Sequence, residues 1–141
     1  MTIESTPQHW LKTIGDLHEK GFDHLACYSC VDYETRFEIV CHLYDYDSKK
    51  MEVVKCALDR TNPKIDSLYS LFRDADWNER EIFDLFGVVF DGHPNLKRIF
   101  LDFGFEGHPF RKEYVLRKEP ETIVSKADRD WINAPKPEAK P

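Results

Sequence analysis

The chain has 141 residues, the size of one domain and cramped for two, and its 41% hydrophobic and 13% aromatic residues can build one core. Twenty Lys and Arg against 26 Asp and Glu leave a net charge of −6, which argues against a nucleic-acid partner because phosphate binding needs a cationic face. No uncharged run approaches the roughly 18 residues of a spanning helix, so no transmembrane segment is predicted. The stretch 1–7 lacks both a positive patch and an apolar run, which predicts a chain neither secreted nor imported, with its four cysteines kept as thiols.

The first predicted element is an amphipathic helix over Gln8 to Lys20, with Trp10, Leu11, Ile14 and Leu17 on one face and Gly21 as the stop. Leu25 to Asp32 reads as a strand. Arg36 to Tyr44 alternates, placing Phe37, Ile39, Cys41 and Leu43 on one face, and a polar turn over residues 45–50 leads to a third strand, Met51 to Leu58. A meander of about three antiparallel strands follows from these signals.

Thr61-Asn62-Pro63 punctuates the chain and predicts a helix carrying Ile65, Leu68, Leu71, Phe72 and Ala75. A second, short helix is predicted from Asn78 as N-cap. Glu81 completes a capping box, Trp77 staples onto Ile82, and Gly87 ends the helix. Gly92, Pro94, Gly104, Gly107 and Pro109 then predict turns and short extended pieces. The fold class is α+β: an N-terminal helix, an antiparallel sheet of about three or more strands with helices on one face, an irregular segment, and an extended tail. The domain boundary falls at 116. In 117–141, 11 of 25 residues are charged and four are prolines, so this segment cannot form a core; it is either a loose end or an arm that orders on a partner with Trp131 as anchor.

Several groups could carry chemistry. Cys27, Cys30, Cys41 and Cys56 can be written as a four-thiolate metal set, but Cys27 and Cys30 fall on opposite faces of a strand, which favours structural thiols. Gly92-His93-Pro94 and Gly107-His108-Pro109 repeat a tripeptide 15 residues apart, and Lys97-Arg98 and Arg111-Lys112 follow them. With Asp102 these residues could act as acid–base or anion-binding groups; the same tripeptide is also a plain way to redirect a chain.

The stretch 78–87 is the most informative. On a helix Ile82, Phe83 and Phe86 share one face with Glu79 in its middle, while Arg80, Glu81 and Asp84 lie opposite, Arg80 and Asp84 spaced to pair. A carboxylate in an apolar stripe needs a cationic partner or free first-turn N–H groups, with Arg98 and Arg111 as fork donors, unless it reaches out to water. The polar face is either solvated or a recognition surface covered by another chain.

Three runs of residues carry a family resemblance. They are Glu79-Arg80-Glu81-x-x-Asp84-x-Phe86-Gly87, His93-Pro94-x-Leu96-x-Arg98-Ile99, and Asp102-x-Gly104-Phe105-x-Gly107-His108-Pro109-x-Arg111-Lys112. Together they resemble the signature, here 79–112, of the 30-kDa subunit family of respiratory complex I (NADH:quinone oxidoreductase) and its relatives in F420H2 dehydrogenases, plastid and cyanobacterial complexes and energy-converting hydrogenases. The resemblance implies a non-catalytic, cofactor-free subunit of a peripheral arm, packed on a large hydrogenase-like (49-kDa-type) subunit at the cytoplasmic side of a membrane. It implies that the signature residues serve as interface and framework, and that the parent complex holds iron–sulfur clusters and, by branch, flavin, quinone or nickel–iron. The opposing reading is a stand-alone metal-dependent enzyme using His93 and His108.

Overall fold

The computed structural model describes residues 2–102 and 104–115. The tail 117–141, with Trp131, lies outside them.

Each long sequence pattern becomes one element. The strands β1 (Thr2–Ser5), β2 (His24–Asp32), β3 (Arg36–Asp45) and β4 (Lys50–Asp59) form one sheet in the order β1-β4-β3-β2. β2, β3 and β4 are the predicted antiparallel meander, and β1 adds a parallel edge strand to β4. Helix α1 (Trp10–Glu19) follows a 3-10 turn over Pro7–His9. The period-2 pattern of β3 dictates which face is covered: Phe37, Ile39, Cys41 and Leu43 are all fully buried. In register beside them lie Leu58, Cys56 and Val54 of β4, and Trp10, Ile14 and Leu17 of α1 close the same core.

The predicted helix after Pro63 does not form. Residues Lys64–Asp66 are instead strand β5, paired in parallel with β6 (Val89–Asp91), and successive turns follow. Ile65, Leu68, Phe72 and Ala75 are buried as their spacing demanded, but the backbone of the segment is satisfied elsewhere. The Ser67 N–H donates to Asp91 O at 2.8 Å, and Leu68 N–H and the Ser67 hydroxyl are taken by a buried carboxylate described below. A 3.6-residue period records burial on one side, and turns can satisfy it as well as a helix.

Helix α2 runs Ala75–Phe86, longer than predicted, and starts after Asp74 rather than Asn78. Asn78 therefore does not cap; its amide donates to Asp74 O at 3.1 Å. Trp77 does not staple onto Ile82 either: it is 65% exposed, and the Arg80 guanidinium lies over its ring. The predicted stop at Gly87 holds, with φ at 75° and its N–H bonded to Phe83 O at 2.9 Å. Both helices lie on the same face of the sheet and share its core.

Leu43→Ala should lower the unfolding free energy by about 2–5 kcal/mol in urea titrations, since a fully buried β3 side chain leaves a cavity between sheet and helix.

Candidate functional site

The site is built on α2 and on the turn-rich strap that follows β6. Asp84, placed by periodicity on the polar face of the helix, is fully buried. Its Oδ2 accepts the N–H groups of Ile99, Phe100 and Leu101 at 3.0, 2.8 and 3.0 Å, and its Oδ1 faces Arg98 Nη1 at 3.3 Å. Arg98 also donates to Gly107 O at 3.0 Å. Burial alone would raise the Asp84 carboxyl; the three amides and the guanidinium outweigh it and hold it below the usual carboxylate range. The expected Arg80–Asp84 pair is absent because the strap occupies Asp84, and Arg80 Nε donates instead to Lys97 O at 3.0 Å. Glu81 stays exposed.

The helix end is clasped as well. His108 Nδ1 lies 2.9 Å from Asp84 O, which can only accept, so the proton sits on that nitrogen. Burial, aided by the nearby Arg111 and Arg98, pushes this imidazole below its ordinary pKa, against the pull of the carbonyl. Arg111 Nε donates to Phe86 O at 2.6 Å. A Cβ on Gly87 would stand 2.5 Å from His108 Nε2 and 2.7 Å from Arg111 Nη2, so glycine is required there by closeness as well as by φ.

The end of the strap is pinned to the sheet. Asp32 sits on the buried face of β2, paired with Phe37 of β3. It takes a forked contact from Arg60, the Lys112 N–H at 2.9 Å and the Glu34 N–H at 2.8 Å, and Arg60 reaches on to Glu113. The Arg60 contact first, then the two amides, hold this carboxyl well below the usual range despite burial. The guanidinium carbons of Arg60 and Arg111 lie 4.8 and 5.2 Å from the Phe37 ring centre, while Phe86 meets that ring edge-on and is met in turn by Phe110.

Glu79 is the acid in the apolar stripe, and neither Arg98 nor Arg111 reaches it. The first serves Asp84 and the second the helix C-terminus; Glu79 is fully buried and accepts from the Ser67 hydroxyl and the Leu68 N–H, both at 2.6 Å. His93, from the first Gly-His-Pro, points to this acid, and His108, from the second, to the far end of α2. Asp102 is exposed at the head of the strap turn, and Phe105 N–H bonds its carbonyl. The two histidines and Asp102 thus do not meet. Among the described residues no three His, Cys, Asp or Glu side chains form a group able to hold a metal ion. Cys27 is exposed while Cys30, Cys41 and Cys56 are buried, and burial pushes the Cys30 and Cys56 thiols up to about 12. Leu96 packs against the core, Pro94 is exposed, Pro109 is half-buried, and Gly104 and Gly107 turn the strap at φ 93° and 89°. Ser67, Asp32 and Arg60 are not predicted from the sequence, since nothing local marks a serine or an Asp–Arg pair that meets across the sheet.

This geometry can position, not react: the charges of the strap are consumed by its own helix and sheet. Residues 3–120 match the family model described as the respiratory-chain NADH dehydrogenase 30 Kd subunit. The chain belongs to this family. Among curated 30-kDa relatives, it is 41% identical over 120 residues to the NADH-quinone oxidoreductase subunit of Roseiflexus sp. and 35% identical over 129 residues to that of Neisseria meningitidis serogroup B. These matches cover 83% and 82% of the chain, but 69% and 66% of the relatives. With the equivalent subunit of Phenylobacterium zucineum, 42% identical, they cover 70% of the chain and 48% of the relative, so the chain spans about half to two-thirds of such proteins. A trypsin-resistant fragment of Nqo5 superposes with a TM-score of 0.64 at 26% identity, over 67% of this chain and 81% of that one. A chain of the membrane-bound sulfane sulfur reductase, an archaeal respiratory membrane complex, shares the fold with a TM-score of 0.73 at 17% identity, over 99% of this chain and 81% of its own.

Asp84→Ala should cost about 3–5 kcal/mol, because three strap amides and a part-buried guanidinium lose their acceptor together. It should also open the chain to trypsin after Lys97 and Arg98. Since the Asp84 pKa is lowered on folding, its stabilisation is present above about pH 4 and lost as pH falls below it, which acid unfolding of the wild type against this variant measures.

Proposed function

We propose that this chain is the cofactor-free positioning subunit of the peripheral arm of a complex I-type, ion-translocating oxidoreductase, and that it packs on the large hydrogenase-like (49-kDa-type) subunit at the cytoplasmic side of the membrane. The observation that carries this reading is the family match combined with the way the signature is used. Its charged side chains are satisfied inside the chain, while large apolar ones around the same helix and strap stand in solvent: Trp77 at 65%, Phe100 at 63% and Phe110 at 58% exposed. Trp77 with Arg80 stacked on it is the pairing of residue types that anchors interfaces. Among the described residues no helix is long and apolar enough to cross a membrane, so association with one would run through other subunits.

The role is mechanical. Electron tunnelling and quinone protonation need donors and acceptors held at fixed positions, and a neighbour whose strap is locked by Asp84 and Asp32 presents a rigid face to the subunit that holds them. Iron–sulfur clusters and, by branch, flavin, quinone or nickel–iron would belong to the other subunits of the complex. Arg98 and Arg111 have the chemistry to contact a partner chain, but both are spent on internal partners, which moves the proposed contact to Trp77, Arg80, Phe100 and Phe110.

The double variant Trp77→Ala, Phe100→Ser should change the chain's own stability by less than about 1 kcal/mol, because both side chains are exposed, yet lose the large subunit in a high-salt membrane extract. Normal co-purification of the variant would refute the proposed face. The flavin, nickel and quinone content of the polypeptides that co-purify with the wild type identifies the electron donor and acceptor.

A further inference from the structure

One buried group takes no part in the clasp. Glu79 is fully buried, and among the described residues no Lys or Arg pairs with it. Each of its oxygens has one short donor, the Ser67 hydroxyl and the Leu68 N–H, and beyond them stands His93, its side chain also fully buried, with Nε2 3.9 Å from Glu79 Oε2 and 3.2 Å from Asp76 Oδ1. The state of this ring follows from its other side. Asn95 N–H donates to His93 Nδ1 at 3.0 Å, so Nδ1 carries the lone pair and the proton of the neutral ring sits on Nε2, between two carboxyl groups. Neither His93 Nε2 nor Asp76 Oδ1 has a well-aligned hydrogen-bond partner, although both atoms are buried.

We propose that Glu79, His93 and Asp76 form an internal proton-binding site, which takes up one proton as the chain folds near neutral pH and releases it when the chain opens. With His93 neutral, the fully deprotonated site would hold two negative charges around one imidazole and no other cation, and one added proton halves that charge. A protonated Glu79 keeps both of its contacts: it accepts from Leu68 as before and can donate to the Ser67 oxygen, which already accepts the Tyr69 N–H at 3.1 Å. The other elements around it supply no compensating charge. Tyr28 of β2 and Cys41 of β3 are neutral groups whose ionisation burial and Glu79 both oppose, and the Tyr69 ring lies 5.9 Å from that of His93. In keeping with the geometry, burial first and the Asp76 charge second push the Glu79 carboxyl up to about 7, against the opposing contacts from Ser67 and Leu68.

A carboxyl raised on folding makes the native state hold a proton that the unfolded chain has lost. The stabilisation is complete below the ordinary glutamate pKa and disappears as pH rises towards about 7. Glu79→Gln is the matching test, because glutamine can accept from Leu68 and donate to Ser67 as the protonated acid does. In urea unfolding of the full chain, the unfolding constant of the wild type relative to Glu79→Gln should rise by close to tenfold per pH unit between about pH 5 and 6.5. A ratio independent of pH overturns the proposal. Should the variant fail to fold, carboxyl-carbon NMR of the native wild-type chain decides: one glutamate titrating above about pH 6 is expected, and all glutamates titrating below about pH 5.5 would refute it.

Discussion

A single carboxylate organises the signature region. Asp84 gathers the amides of three consecutive residues, Ile99, Phe100 and Leu101, on one oxygen and a guanidinium on the other. The strap has almost no regular secondary structure, so its backbone N–H groups would otherwise face water or go unpaired beneath a partner. A charged acceptor contributes about 1.5–3 kcal/mol per hydrogen bond, roughly twice a neutral one, which is how a short irregular segment can be held without a strand or helix of its own. Moving the carboxylate by a methylene, or turning the helix by one residue, would separate it from all three amides at once.

The second constraint comes from the sheet. Asp32 stands at the end of the β2 row that packs the core, where an isolated carboxylate would be costly, and it is neutralised by Arg60 from beyond β4 and by Lys112 N–H from the strap. Arg60 and Arg111 both lie against the Phe37 ring, so an aromatic residue of β3 links the end of the meander to the end of the signature. Helix, strap and sheet are thereby joined at two carboxylates, and the rigidity on which a positioning role depends comes from these contacts rather than from added core.

The parts legible in the sequence are those with a long, single period. The meander, α1 and the glycine stop of α2 each depend on residues close in the chain, and Phe37, Ile39, Cys41 and Leu43 are buried as their alternation required. β1, β5 and β6 are not legible because they are three or four residues long and pair in parallel with distant segments, leaving no local alternation to read. The segment 61–75 misleads because burial of Ile65, Leu68, Phe72 and Ala75 imitates a helical stripe. At the site, the types of residue are readable and the pairings are not. An acid in an apolar stripe calls for a cation; a hydroxyl and an amide meet the need, and the available arginines go to the helix C-terminus and to a second carboxylate that periodicity assigns to the polar face.

Glu79 and Asp84 lie on one helix, both fully buried, and their environments drive them in opposite directions. Asp84 faces three amides and a guanidinium, an array that only an ion fully uses. Glu79 faces one amide, one hydroxyl and an imidazole shared with another acid, an array that a neutral carboxyl satisfies equally well. Burial costs the charged form of both groups, so the difference arises from the donors that meet them. The contrast also explains why the two acids cannot exchange tasks: a neutral group at 84 would release the strap, whereas a permanent charge at 79 would have to be carried inside the core beside Tyr28 and Cys41, with no cation to balance it.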